Sequence, residues 1–151
     1  MTQQPSALAR GWHRYLDRIE WGKEAEDRFF AICSQKKSEG KFPPWLTDIR
    51  KANPAEDARG IDAWACTADA YDFKIDIKVS ATAAKRTRER WQRSEKLRRR
   101  WKREKRYLIL MFVVSPQATD EQVWNGFLGL LAEKRRERLA GFIARKTPAM
   151  N

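Results

Sequence analysis

Gly60-Ile61-Asp62 and, fifteen residues further on, Ile75-Asp76-Ile77-Lys78-Val79 are the stretches that decide how this chain folds. Each is an apolar run carrying a carboxylate, and the second adds a lysine two residues later. Successive side chains of a β-strand point to opposite faces. Phe73, Ile75, Ile77 and Val79 therefore share one face, and Asp72, Lys74, Asp76, Lys78 and Ser80 the other. The pattern predicts strands over about 61–67 and 72–80, joined by a tight turn at Ala68-Asp69-Ala70. With the turn centred near residue 69, cross-strand partners sum to about 138, which sets Asp62 opposite Asp76. A two-residue shift sets Asp62 opposite Lys78 instead, and an odd shift turns it to the other face. Directly opposed side chains stand about 4.5–5.5 Å apart at Cβ, close enough for both acids to hold one cation. Without a cation, like charges so placed cost stability.

Upstream, a helix is expected from about Lys23 to Lys36, with Ala25, Phe29, Phe30 and Cys33 as its apolar stripe. Glu26 lies on that stripe, where a carboxylate is costly unless paired or metal-bound. Its plainer reading is an acid at the stripe's border that reaches solvent or an arginine. A shorter helix over residues 6–20 precedes it, and Trp21-Gly22 is expected to interrupt the two. Residues 37–60 read as irregular, punctuated by Gly40, Pro43-Pro44, Asn53-Pro54 and Gly60, with a short strand or helical turn over 44–50.

Downstream, residues 81–106 contain neither Gly nor Pro and read as a helix. From Lys85 to Arg106 thirteen Lys/Arg stand against Glu89, Glu95 and Glu104, a net of +10. Ala84, Trp91, Ser94, Leu97 and Trp101 form a docking stripe on the same helix. The apolar run Tyr107–Val114 suits a strand buried on both faces, as in parallel pairing. Thr119 with Gln122 makes a capping box for a last helix bearing Val123, Trp124, Phe127, Leu128 and Leu131. That helix either completes the core or supplies an interface between copies. An antiparallel hairpin, a crossover helix and a parallel return strand give an α/β fold: a mixed central β-sheet flanked by helices, in one domain over 1–151.

The chain of 151 residues carries +12 with a pI near 10.1, so its expected partner is a polyanion, nucleic acid first. No run reaches the ~18 apolar residues of a membrane span, and the N-terminus lacks a signal pattern; a cytoplasmic protein with no membrane partner is expected. Cys33 and Cys66 read as buried free thiols. One histidine, His13, and no Cys-x-x-Cys exclude a structural zinc site and leave nucleophilic Ser or Cys chemistry without support.

Acid-x-Lys triplets are common, and this chain has three: Glu39-Gly40-Lys41, Asp72-Phe73-Lys74 and Asp76-Ile77-Lys78. The hairpin chooses the last. Gly22-x-x-x-Glu26-x-x-Phe29, then Glu56-Asp57-x-x-Gly60-Ile61-Asp62, then Asp76-x-Lys78 followed by Ser80, resembles the PD-(D/E)xK nuclease superfamily, especially its small Holliday-junction-resolvase-like and restriction-endonuclease-like members. The resemblance covers about 22–115, leaving 1–21 as an N-terminal helical extension and 116–151 as a C-terminal helix and basic tail. It implies a restriction-endonuclease-like core and a Mg²⁺- or Mn²⁺-dependent endonuclease, with DNA ahead of RNA as substrate. Asp62, Asp76 and Glu26 would be metal ligands and Lys78 the catalytic lysine. Asp57 and Ser80 are candidates to support them from behind, with turn chemistry the plainer reading of Asp57. Resolvases of this kind act as two-fold homodimers. Two departures stand out: no proline precedes Asp62, and the loop before Gly60 leaves the first core strand unplaced.

Lys85, Arg86, Arg90, Arg93, Arg99, Arg100 and Arg103 are the candidate phosphate contacts, with forked guanidinium donors that suit phosphate oxygens. Such contacts position a protein without reading sequence. Trp91 and Trp101 suit core packing better than base stacking, since they lie on the docking stripe. The competing reading is a non-catalytic basic nucleic-acid-binding protein, or a subunit of a nucleoprotein assembly, in which Asp62, Asp76 and Lys78 form an ordinary surface ion-pair cluster.

Overall fold

The computed structural model describes residues 7–93, 99 and 109–146. In chain order the elements are α1 (Ala7–Ser38), β1 (Leu46–Lys51), α2 (Pro54–Asp57), β2 (Ala63–Thr67), β3 (Phe73–Lys78), α3 (Ala81–Arg93), β4 (Ile109–Val113) and α4 (Asp120–Lys146). The four strands form one sheet in the order β1-β2-β3-β4. The first three make an antiparallel meander, and β4 returns parallel to β3 through α3. This is the expected α/β layering with a mixed sheet. The hairpin register matches the expectation: Ala63 faces Ile75, Trp64 faces Lys74 and Ala65 faces Phe73.

One face of the sheet carries Ala63, Ala65, Phe73, Ile75, Ile77, Leu110 and Phe112, all buried. Ala25, Phe29, Ile32 and Cys33 of α1 and Val123, Trp124, Phe127 and Leu131 of α4 complete the same core. Phe29, Phe112 and Phe127 meet there with ring centroids 5.0–6.0 Å apart. The last helix therefore completes the core. Its capping box forms as read: Thr119 N–H donates to Gln122 Oε1, and Gln122 N–H donates to Thr119 Oγ1. Helix α3 packs against β3 and β4, and its buried Ala84 stands apart from the main core.

Three expectations need correction. Trp21-Gly22 does not interrupt α1, which runs unbroken across it. A lone glycine in a helix costs only about 1 kcal/mol, which its flanking turns absorb. Residues 37–60 are not wholly irregular, since they hold β1 and α2. The segment read as a short strand or helical turn over 44–50 is a strand, with a bulge between Leu46 and Asp48. That bulge lets Leu46 and Ile49, three apart, both reach the core, so the two-residue alternation is lost. Finally, β4 is buried on one face only: Leu110 and Phe112 are buried, whereas Ile109, Met111 and Val113 are half-exposed. It is an edge strand that α3 covers incompletely.

Candidate metal centre

Asp62 sits just before β2 starts, one residue ahead of Ala63. Its backbone is held on both sides: its N–H donates to the Ile75 carbonyl (2.8 Å), and its carbonyl accepts from Ala52 N–H (3.0 Å). Its carboxylate Oδ2 accepts the Ile77 N–H at 2.7 Å, replacing the strand partner that β2 no longer supplies.

Asp57 reaches the same place through local chain geometry. Asn53 caps α2, with its side chain accepting Glu56 N–H (2.8 Å) and its own N–H donating to Glu56 Oε1 (3.0 Å). Pro54 fills the first turn of that helix. Beyond Asp57 the chain turns back at Gly60, whose φ of 84° lies in the left-handed region that favours glycine. Glu26 comes from α1, one turn before the buried Phe29 and the half-buried Phe30. The carboxylate oxygens of Glu26, Asp57 and Asp62 lie within 4.8 Å of one another.

Asp76 and Lys78 complete the group from β3. Asp76 is only 4% exposed, and the Lys78 ammonium lies 3.4 Å from its carboxylate. Glu26, Asp62, Asp76, Lys78, Ser80 and Arg86 all line one cleft of about 440 Å³, with Trp21 and Gly22 at its α1 wall.

The electrostatics follow from this crowding. Burial, reinforced by the Asp62 charge and a hydrogen bond with it, pushes the Glu26 carboxyl up to about 7; Asp57 adds to the effect and Lys51 opposes it. Burial likewise lifts Asp76 to about 7, with Lys78 pulling it down and Asp62 pushing it up. Asp57 is raised by burial and by its hydrogen bond and charge interaction with Asp62. Acids held this way ionise together only at a cost, which a cation among them would offset. Oxygen-only donors of this kind suit a hard divalent ion such as Mg²⁺ or Mn²⁺, so the residues fit the metal that the resemblance implies.

The structure thus gathers Glu26, Asp62, Asp76, Lys78 and Ser80 in one cleft. Asp57 is drawn in more closely than its turn-forming reading expected, and Asp76 stands beside the close trio and not within it. The signal for Asp57 was present in the chain: Asn53-Pro54-Ala55-Glu56 is a capping-box pattern, which announces a helix. Of the basic candidates, Lys85, Arg86, Arg90 and Arg93 lie exposed on α3, and Arg99 is also exposed and helical. Arg100 and Arg103 lie outside the described residues, as do Ser94, Leu97 and Trp101 of the docking stripe. Arg86, Arg90 and Arg93 repeat at helical spacing on one face, which starts at the cleft. No described helix is long and apolar enough to cross a membrane. No protein-family model, curated protein or solved structure matches the chain.

Proposed function

We propose that this protein is a metal-dependent nuclease with a restriction-endonuclease-like core of the PD-(D/E)xK kind, acting on DNA ahead of RNA. The observation that carries the reading is the convergence of the Glu26, Asp57 and Asp62 carboxylates, with Glu26 and Asp62 lining one cleft beside the Asp76–Lys78 pair. The order α1-β1-β2-β3-α3-β4, with an antiparallel meander and a parallel return strand, supports it as the core such a site needs.

Glu26, Asp57 and Asp62 would hold the cation, with Asp76 adjoining. When bound, a divalent ion acidifies water and screens the charge that builds up on phosphoryl oxygens. The chain's own groups do the rest. Asp62, fixed by the Ile77 N–H, presents its remaining carboxylate oxygen in a set direction. Lys78 stands on a rigid strand, where its ammonium can donate to a non-bridging phosphate oxygen as charge develops. Arg86 at the cleft and Arg90 and Arg93 beyond it can receive flanking phosphates. Because phosphate contacts carry no base information, cleavage is expected to be governed by substrate shape.

The test is cleavage of labelled duplex, single-stranded, branched and RNA substrates with Mg²⁺, Mn²⁺ or EDTA. Wild-type protein should cut only with metal, and Asp76→Asn or Lys78→Ala should lower the rate by about 10²–10³-fold or more. Both variants should retain nucleic-acid affinity and a cooperative melt. Metal-independent background cutting, or equal rates for the variants, would end the proposal. Tight binding without any cutting leaves the non-catalytic binding reading.

A further inference from the structure

Trp21 is 53% exposed, whereas Trp124 is buried and Trp45 and Trp64 are half-covered beneath arginine side chains. The other exposed large hydrophobic residue of the described chain, Tyr71, packs edge-on against Phe142. Trp21 has no ring or cation partner among the described residues. It lies at the wall of the candidate cleft, five residues before Glu26 on the same helix. That separation is about 7.5 Å along the axis, about two stacked steps of a nucleic-acid strand.

We infer that the Trp21 indole stacks on an unpaired base of the substrate, so that the site takes single-stranded or end-frayed nucleic acid in preference to an intact duplex. This rests on the cleft being a nucleic-acid site. Lys78 and Arg86 line the same cleft, two cations that suit the phosphates of a strand whose base rests on the indole. A base inside a duplex has both faces covered by its neighbours, so only an unpaired or terminal base can offer a free one. The cleft volume of about 440 Å³ falls in the range of sites for small groups, about 300–1,000 Å³, the scale of a splayed-out nucleotide. Gly22 leaves the wall beside the indole open: a Cβ there would meet nothing within 4 Å.

The experiment measures binding in EDTA, so that it does not depend on catalysis. Fluorescein-labelled oligonucleotides of one sequence are titrated as single strand, blunt duplex and duplex with an unpaired overhang. Trp21→Ala should weaken the single strand and overhang on the order of 5- to 150-fold, leave the blunt duplex nearly unchanged, and leave the melting temperature alone. Trp21→Phe should keep most of the preference, because it keeps a π-face. Equal loss on all three substrates, no loss on any, or a Trp21→Leu variant as good as Trp21→Phe overturns the inference. So does a change in sedimentation with unchanged binding, which would assign the indole to a contact between copies. Wild-type cleavage with Mn²⁺, run in parallel, separates the two ideas. Cutting with no role for Trp21 sinks only the stacking, and a Trp21-dependent strand preference without cutting sinks only the nuclease reading.

Discussion

The two ends of the β2–β3 hairpin handle acidic side chains in opposite ways. At the turn, Asp69 is gripped by both forks of Arg135, whose hydrogen bond holds its carboxyl below the usual carboxylate range. Arg138 donates to the carbonyls of Ala70 (2.7 Å) and Asp72 (2.9 Å) and lies 3.8 Å over the Phe73 ring. Thr67 closes the same turn, with its hydroxyl donating to the Tyr71 carbonyl and accepting Ala70 N–H. At the open end, Glu26, Asp57, Asp62 and Asp76 crowd together with Lys78 paired to Asp76 and Lys51 acting on Glu26 and Asp57, and three of the four carboxyls are still held above their ordinary values. A chain with a charge of +12 has arginine enough to neutralise them. It places paired arginines at the turn and leaves the acids at the open end crowded, at a cost in stability.

The contrast can be broken most forcefully with pH. Asp76 titrates at about 7 in the folded chain against 3.8 ordinarily, and Glu26 at about 7 against 4.5. Through that window the folded state holds protons that the unfolded state has lost. Stability of the metal-free protein should therefore fall as pH rises from about 4 to 7 and stay low above it. Thermal melts should show this fall, and Asp76→Asn should flatten it. Since each pKa unit is worth about 1.4 kcal/mol, this effect should exceed the two that follow. Mn²⁺ needs the ionised acids, so its stabilisation should be larger at about pH 8 than at about pH 5. A melting temperature that rises across the window would contradict the crowding.

At the other end, Arg138→Ala should cost about 2–3 kcal/mol in urea unfolding, from two charge-assisted hydrogen bonds and the ring contact. It should leave Mn²⁺ affinity unchanged, which sharpens the division of labour along the hairpin. The smallest effect is expected for Arg135→Gln. Its partner Asp69 is exposed, and surface pairs are worth at most about 1 kcal/mol. A loss much beyond that would show that the turn depends on the ion pair more than on the carbonyl clamp.

Much of the site was legible because its grammar is local. Alternation along Phe73–Val79 and a short turn are properties of neighbouring residues, so they set the register that faces Ala63 with Ile75 and brings Asp62 up to β3. Thr119 and Gln122 announced α4 for the same reason. By contrast, the bulge in β1 left strand and helical turn as equal readings of 44–50, and the continuity of α1 through Gly22 was not written in any single residue type.

From the chain alone came the basic charge, the hairpin with its acids, and the return strand and last helix that follow it, all encoded within a few residues of one another. Only the tertiary structure decided that Glu26 and Asp57, 31 positions apart, meet at Asp62. That meeting depends on α1 packing its phenylalanines onto the sheet and on α2 turning back at Gly60. Contacts between distant segments are set by how surfaces fit when buried, and no local period records them.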